Sequence, residues 1–120
     1  LDSARRYVAR NQFDRAIAAY QKLVEHDPND VRSWLQIGDL LTREGRRRDA
    51  SEAYGRVARH YAQCGFFLKA VAVYKQILKL EPARVDTLQR LAEMYEKLEL
   101  TSDAMNVYEQ VVDLALRRQD

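Results

Sequence analysis

The sequence predicts an all-α fold made of antiparallel helix pairs set in a row. Two observations carry that reading: the composition, and a short pattern that recurs four times. Of 120 residues, 47% are apolar and 32% charged, while Gly (4) and Pro (2) are scarce. Ala, Leu, Arg, Glu and Gln dominate; they lose little rotamer freedom in a helix and do not compete for its backbone bonds. β-branched runs bounded by turn residues are absent. The length suits one domain, and the apolar share is enough to build a core rather than leave a disordered chain.

The recurring pattern is a turn residue, an Ala five positions on, and a Tyr four after that. It runs from Asn11 through Ala16 to Tyr20, from Gly45 through Ala50 to Tyr54, from Gly65 through Ala70 to Tyr74, and from Glu99 through Ala104 to Tyr108. An apolar residue follows three later each time: Leu23, Val57, Ile77 and Val111. Spacings of three and four place these side chains on one face, which marks the buried side of a helix. A second helix type precedes the turn. Trp34, Ile37, Gly38 and Leu41 recur as Leu88, Leu91, Ala92 and Tyr95, and the small Gly38 and Ala92 allow close approach of a neighbour. Pro28 and Pro82 end the second helix of a pair. Asp30 or Asn29 offers a cap for the helix that follows, and Thr101 does so for the last. The helices expected are 1–10, 13–26, 31–44, 47–63, 66–80, 84–98 and 101–118.

Spacing between the small alanines is not uniform. Ala16 and Ala50 are 34 residues apart, as are Ala70 and Ala104, but Ala50 and Ala70 are separated by only 20. One helix is therefore missing in the middle, and the helix at 47–63 reads in both roles. Ala50, Tyr54 and Val57 fit a second helix; Tyr54, Val57, Ala58 and Tyr61 fit a first helix ending at Gly65. Seven helices are expected rather than eight, with a phase irregularity at the fourth, which should be apolar on more than one stripe.

Trp34, Ile37, Gly38 and Leu41, then Ala50 and Tyr54, with Pro28 and Pro82 closing their repeats, resemble the tetratricopeptide repeat signature. The resemblance spans essentially the whole chain. It implies a right-handed superhelical stack, an α-solenoid, with repeats at roughly 1–30, 31–64, an overlapping 51–84, and 85–118. The chain reads as a piece of a longer protein. The resemblance also implies a scaffold or adaptor that binds another protein's peptide or helix in a concave groove lined by the first helix of each pair. Carried over by position, that groove takes Arg5, Arg32, Leu35, Asp39 and Arg43, then Arg59, Gln63, Gln89 and Glu93. Arginine suits such a place because its planar fork pairs bidentately with carboxylates. The family's chaperone-tail binders hold a carboxylate with Lys and Asn at set positions. Here those positions carry Leu1, Arg5, Leu35 and Asp39, so that mode is not expected.

Two tips stand out between helices. Arg46, Arg47 and Arg48 crowd one turn and could receive an acidic segment or phosphate; a solvated charged turn is the plainer reading. Phe66 and Leu68 bracket another, either as exposed anchors or, the favoured reading, as apolar seals over the phase shift. Phe67, aligned with Phe13, is expected in the core.

Chemistry-bearing motifs are absent: no Gly-rich phosphate loop, nucleophile elbow or His-Glu-x2-His occurs. His60 and Cys64 lie one helical turn apart, but two ligands do not make a structural zinc site. Cys64 reads as a small buried hydrophobe. No enzyme, cofactor or metal is expected. A net charge of +2 and interspersed acids disfavour nucleic acid, though 15 arginines keep an RNA-binding helical repeat as the alternative. No stretch approaches the roughly 20 apolar residues of a membrane span. A lone cysteine fits the reducing cytoplasm. A spacer or self-associating segment is a further alternative, signalled by an apolar outer face of Val107, Val111 and Leu114 on the last helix.

Overall fold

Four turns of one design set the architecture. In a computed structural model, which describes residues 2–119, the chain forms α1 (Asp2–Ala9), α2 (Phe13–His26), α3 (Val31–Arg43), α4 (Arg47–Gln63), α5 (Phe67–Leu80), α6 (Val85–Lys97) and α7 (Thr101–Gln119). Among the described residues there is no strand. Leu1, where the first helix was expected to begin, lies outside them. The expected limits agree with the observed ones to about one residue.

At each of the four turns a residue takes positive φ: Asn11 (57°), Gly45 (76°), Gly65 (79°) and Glu99 (61°). The amide of the next residue then reaches back to the carbonyl five positions earlier. Gln12 N–H donates to Tyr7 at 2.8 Å, Arg46 to Leu41 at 2.9 Å, Phe66 to Tyr61 at 2.8 Å and Leu100 to Tyr95 at 2.8 Å. This is the Schellman motif, which satisfies orphan carbonyls at a helix end. The left-handed region is open to Gly without a Cβ penalty, which explains Gly45 and Gly65. The remaining turns, α2–α3 and α5–α6, carry Pro28 and Pro82 instead. At the first of them Asp30 caps α3, accepting from Ser33 N–H at 3.2 Å and Ser33 Oγ–H at 2.7 Å. Thr101, expected as a cap, is instead the first residue of α7; the Leu100 carbonyl before it accepts from Ala104 N–H at 3.0 Å.

The order of turn types shows the phase change directly. Schellman and proline turns alternate along the chain except around α4, which has a Schellman turn at both ends. α4 therefore opens as a second helix and closes as a first helix. Its buried residues, Ala50, Ser51, Ala53, Tyr54, Val57 and Ala58, cover both stripes expected of it. Each helix packs against its chain neighbours, and α4 is held closely by both α3 and α5. The result is an elongated slab of 45 × 34 × 20 Å. Its radius of gyration is 16.0 Å, against about 13.6 Å for a compact chain of this length.

Between α3 and α4 a small residue meets an aromatic ring. Gly38 on α3 lies against the Tyr54 ring, where an added Cβ would come within 2.6 Å of a ring carbon. Ala4, Ala58 and Ala92 hold the corresponding places and are fully buried. The Tyr54 hydroxyl donates to Asp39 Oδ1 at 2.5 Å. Burial first, and then the bond to the Asp39 carboxylate, push the Tyr54 phenol up to about 12.

Two outcomes follow from this seam. Gly38→Ala gains about 1 kcal/mol of helix propensity but forces an overpacked contact costing roughly 1–3 kcal/mol. Denaturant unfolding should show net destabilisation; an unchanged or raised midpoint would refute the close approach. Tyr54 is protonated in the fold to about pH 12, against an ordinary value of 10.0. Its hydroxyl's contribution is thus intact below pH 10 and is lost as pH rises from 10 to 12. Tyr54→Phe should cost roughly 1 kcal/mol at neutral pH and flatten that alkaline decline in stability.

Candidate functional site

Two clefts open on the side of the slab formed by first-type helices. The first, about 530 Å³, lies between α1 and the start of α3, with Tyr20 of α2 as its floor. It gathers Arg5, Val8, Arg32 and Leu35, so three of the expected groove residues do converge. Arg5 and Arg32 are exposed and Leu35 is half-buried. The second cleft, about 280 Å³, lies between α4 and the start of α6, with Tyr74 of α5 at its base. It contains Arg59, again as expected.

Six residues of the first cleft have counterparts 54 positions on that line the second. Arg5 matches Arg59, Tyr20 matches Tyr74, and Ser33 matches Thr87. Two cap-region charges exchange places: Asp30 and Arg32 of the first cleft become Arg84 and Asp86 of the second. Gln36 becomes Arg90. This equivalence exists only because α4 acts as a first helix toward α5 and α6.

The second cleft is the more cationic. Arg84 is neutralised by Glu81 at 3.2 Å and Asp86 at 3.4 Å. Burial works to raise the Asp86 carboxyl, but the Arg84 bond and charge hold it below its usual value. Arg56 lies over the Trp34 ring, 4.7 Å from its centroid, while the indole Nε1–H donates to the Pro28 carbonyl at 3.1 Å. Arg59 and Arg90 remain exposed, without an ion pair among the described residues. Both act on the same group. Burial raises the Tyr74 phenol, and the Arg90 and Arg59 charges oppose that rise.

The other expected residues are placed differently. Asp39 is exposed but engaged by the Tyr54 hydroxyl; the Asp39–Arg43 pair that their spacing allows does not form. Arg43 lines neither cleft; its guanidinium lies 5.9 Å from the Phe13 centroid. Gln63, Gln89 and Glu93 are exposed and lie outside both clefts. Glu93 and Glu96 sit farther along α6, where Glu96 accepts the Tyr108 hydroxyl bond. Charge thus alternates along this face, from Arg5 to Asp39, to Arg59 and Arg90, to Glu93 and Glu96. Arg90 lies one residue beyond Gln89 on α6, off the one-per-turn stripe that the resemblance assigns to first helices. Its equivalence with Gln36 was the available signal.

At the basic tip, Arg46 is paired with Asp49 at 2.8 Å and with Glu44 at 3.9 Å, leaving Arg47 and Arg48 exposed. Cations at a helix start oppose its dipole, and Asp49 in the same turn offsets this. The expected sealing role of Phe66 and Leu68 is not met: they are 52% and 68% exposed. Both stay at the surface, the Phe66 ring edge-on to Tyr61 and with Lys69 5.1 Å from its centroid. Phe67 does pack against the core. Cys64 is exposed rather than buried, because it caps α4 at the turn; its Sγ is 3.6 Å from His60 Nε2. On α7, Val107 is buried and Val111 and Leu114 pack against the core, so the outer face is not the one expected.

A family model described as a TPR repeat matches residues 4–45, and one described as a tetratricopeptide repeat matches residues 87–120. Together they take in more than half of the chain, and neither reaches α4 or α5. Among solved structures, one described as "Crystal structure of MamA" is 22% identical with a TM-score of 0.53, over 95% of this chain and 75% of that one. A second, "MamA 41-end from Desulfovibrio magneticus RS-1", is 18% identical with a TM-score of 0.56, over 98% of this chain and 73% of that one. At such identities the likeness is one of fold. No curated protein sequence matches. With its repeated Ala–Tyr stripe, its small-residue contacts and both ends matched, the chain belongs to the tetratricopeptide repeat family.

Proposed function

We infer that this chain is a non-catalytic scaffold that holds a peptide or helix of a partner protein along the face bearing the two clefts. The observation that carries the reading is the duplication of one cleft design, a tyrosine floor with an arginine on the first-type helix beside it, in both halves of the stack. Side chains kept at the same place on a rigid repeat array form a surface able to read an elongated ligand.

The chemistry of the face defines the ligand further. Arg59 and Arg90 present two guanidinium groups near one buried tyrosine, a setting suited to a carboxylate on the partner. Asp39 lies before them, and Glu93 and Glu96 after them. A partner segment that alternates acidic and basic side chains would complement the whole row. The same acids repel a phosphate backbone, which weighs against RNA. The repeats are read as 1–30, 31–64, 51–84 and 85–118, with α4 shared by the middle two. Among the described residues no helix is long and apolar enough to cross a membrane. We place the scaffold in the cytoplasm because its one cysteine, Cys64, is free and exposed.

Capture from host lysate with the wild-type chain and with Arg59→Glu/Arg90→Glu tests this. Both residues are exposed, so the variant should keep its helical circular dichroism. A protein retained by wild type and reduced about tenfold or more on the variant, equivalent to 1.4 kcal/mol or more, is the expected result. Retention of the same proteins by both would overturn the groove assignment. Salt-sensitive retention of RNA by the wild type would replace it with the nucleic-acid reading.

A further inference from the structure

Of the four glycines, three have a structural reason and one has none. Gly45 and Gly65 take positive φ at their turns, and Gly38 makes room for the Tyr54 ring. Gly55 stands at the middle of α4, a helix of 17 residues. A Cβ added there would meet nothing within 4 Å. Glycine inside a helix is destabilising relative to alanine, because it loses more backbone freedom on folding. The fold gains nothing from Gly55.

The repeat shows what this position holds elsewhere. As a second-helix residue it matches Gln21, Lys75 and Glu109; as a first-helix residue it matches Leu35 and Gln89. Each of these is a long or branched side chain. That of Lys75 extends until its ammonium lies 5.9 Å from the Tyr95 centroid on α6, and Leu35 lines the first cleft. At Gly55 the surface is bare, and Gly55 lines the second cleft.

The surroundings of this gap are polar. Ser51, one turn before it on the same side of α4, also lines the cleft. Ser51 is 1% exposed, and its hydroxyl has no partner among the described residues. A buried hydroxyl without a bond is costly, and a group entering over Gly55 can supply what it lacks. One turn beyond the gap stands Arg59, and Arg90 of α6 lines the same cleft. Glu52 lines it too, which turns an anion away from the Ser51 end and toward the two arginines.

The gap also selects the form of its occupant. A helix holds its main chain beneath its own side chains, about 10–12 Å across in all, with its interior N–H and C=O groups already bonded. An extended segment sends side chains to alternate sides and keeps its main-chain groups free to bond. Glycine is the residue that lets another backbone approach closely. Gly55 and Ser51 thus suit a main chain, and Arg59 and Arg90 suit a carboxylate.

We propose that the second cleft takes an extended segment of the partner, its main chain crossing α4 at Gly55 beside Ser51 and an acidic side chain reaching Arg59 and Arg90. This rests on the reading of that face as the partner-binding one, and it makes Gly55 the residue that admits a strand-like peptide and disfavours a helix.

Two capped peptides test this by amide chemical-shift titration of the whole chain. One is lysine–proline–glutamate–proline–lysine, which its prolines keep from forming a helix. The other sets the same three charges in an alanine-based helix. The proline peptide should bind at least tenfold tighter than the helical one and shift the amides around Gly55. Gly55→Ala should melt several degrees above wild type yet bind the proline peptide more weakly, a steadier fold with a filled gap. Gly55→Leu should keep its circular dichroism and lose at least tenfold in affinity. Equal affinity of wild type and Gly55→Leu would overturn the proposal, as would tighter binding of the helical peptide or the absence of any saturable shift. Capture from lysate separates this from the groove reading. A protein lost from Arg59→Glu/Arg90→Glu but fully held by Gly55→Leu would keep the groove and remove the gap's role. Peptide binding that Gly55→Leu abolishes, with no protein captured, would keep the gap's role and remove the groove reading.

Discussion

The stack depends on one contact, a tyrosine ring laid across a position too small to hold it off. At Gly38 the geometry leaves no room even for a methyl group, since a Cβ there would meet the Tyr54 ring at 2.6 Å. Interiors are packed at crystal density, so such contacts fix how near two helices lie. Ala4, Ala58 and Ala92 occupy the same place in the other pairs, each fully buried. The Schellman turn supplies the second half of the constraint. By closing a helix with one left-handed residue and a bond from five positions back, it fixes where the next helix starts. Ring, small residue and turn together dictate a pair, and the pair dictates the stack.

This constraint explains how one helix can serve two pairs. Tyr54 covers Gly38 as a second-helix residue, yet it also stands where Trp34 stands in α3, four positions before a small residue, Ala58. The 20-residue interval between Ala50 and Ala70 leaves room for one helix only, and α4 meets both sets of demands with 17 residues. Its cost is composition: Ser51 is buried, its hydroxyl without a partner among the described residues, where α2 and α5 have Ile17 and Val71. The benefit is that the cleft made by α1, α2 and α3 is rebuilt by α4, α5 and α6. A conventional 34-residue step would have set those helices in a different register.

Much of the fold was legible because it is written locally. Turn residues, the Ala–Tyr spacing and the prolines gave seven helices and the double role of α4, since each acts within a few residues of its own position. Exposure was less legible, because it depends on which neighbour arrives. Phe66 and Leu68 stay exposed at the α4–α5 turn. Cys64 lies at a turn rather than on a buried face. The apolar face of α7 proved to be Met105, Tyr108, Val112 and Leu116, while Val107, Val111 and Leu114 turned inward. Of the groove residues that the family resemblance implies, Arg5, Arg32, Leu35 and Arg59 line the two clefts. Arg43 does not, its guanidinium lying over Phe13 instead, and Arg90 emerges only when the two clefts are superposed by sequence.

If α4 is the shared element of both halves, it is the best-supported helix in a one-dimensional stack, flanked by full neighbours on each side. Native-state hydrogen exchange resolved by residue measures this directly. The amides of Ala53 to Ala58 should be the slowest to exchange in the chain, opening only with global unfolding, while α1 and α7 exchange earlier. Earlier opening of α4 than of α2 or α6 would contradict the account, showing two separate stacks joined by a weak link.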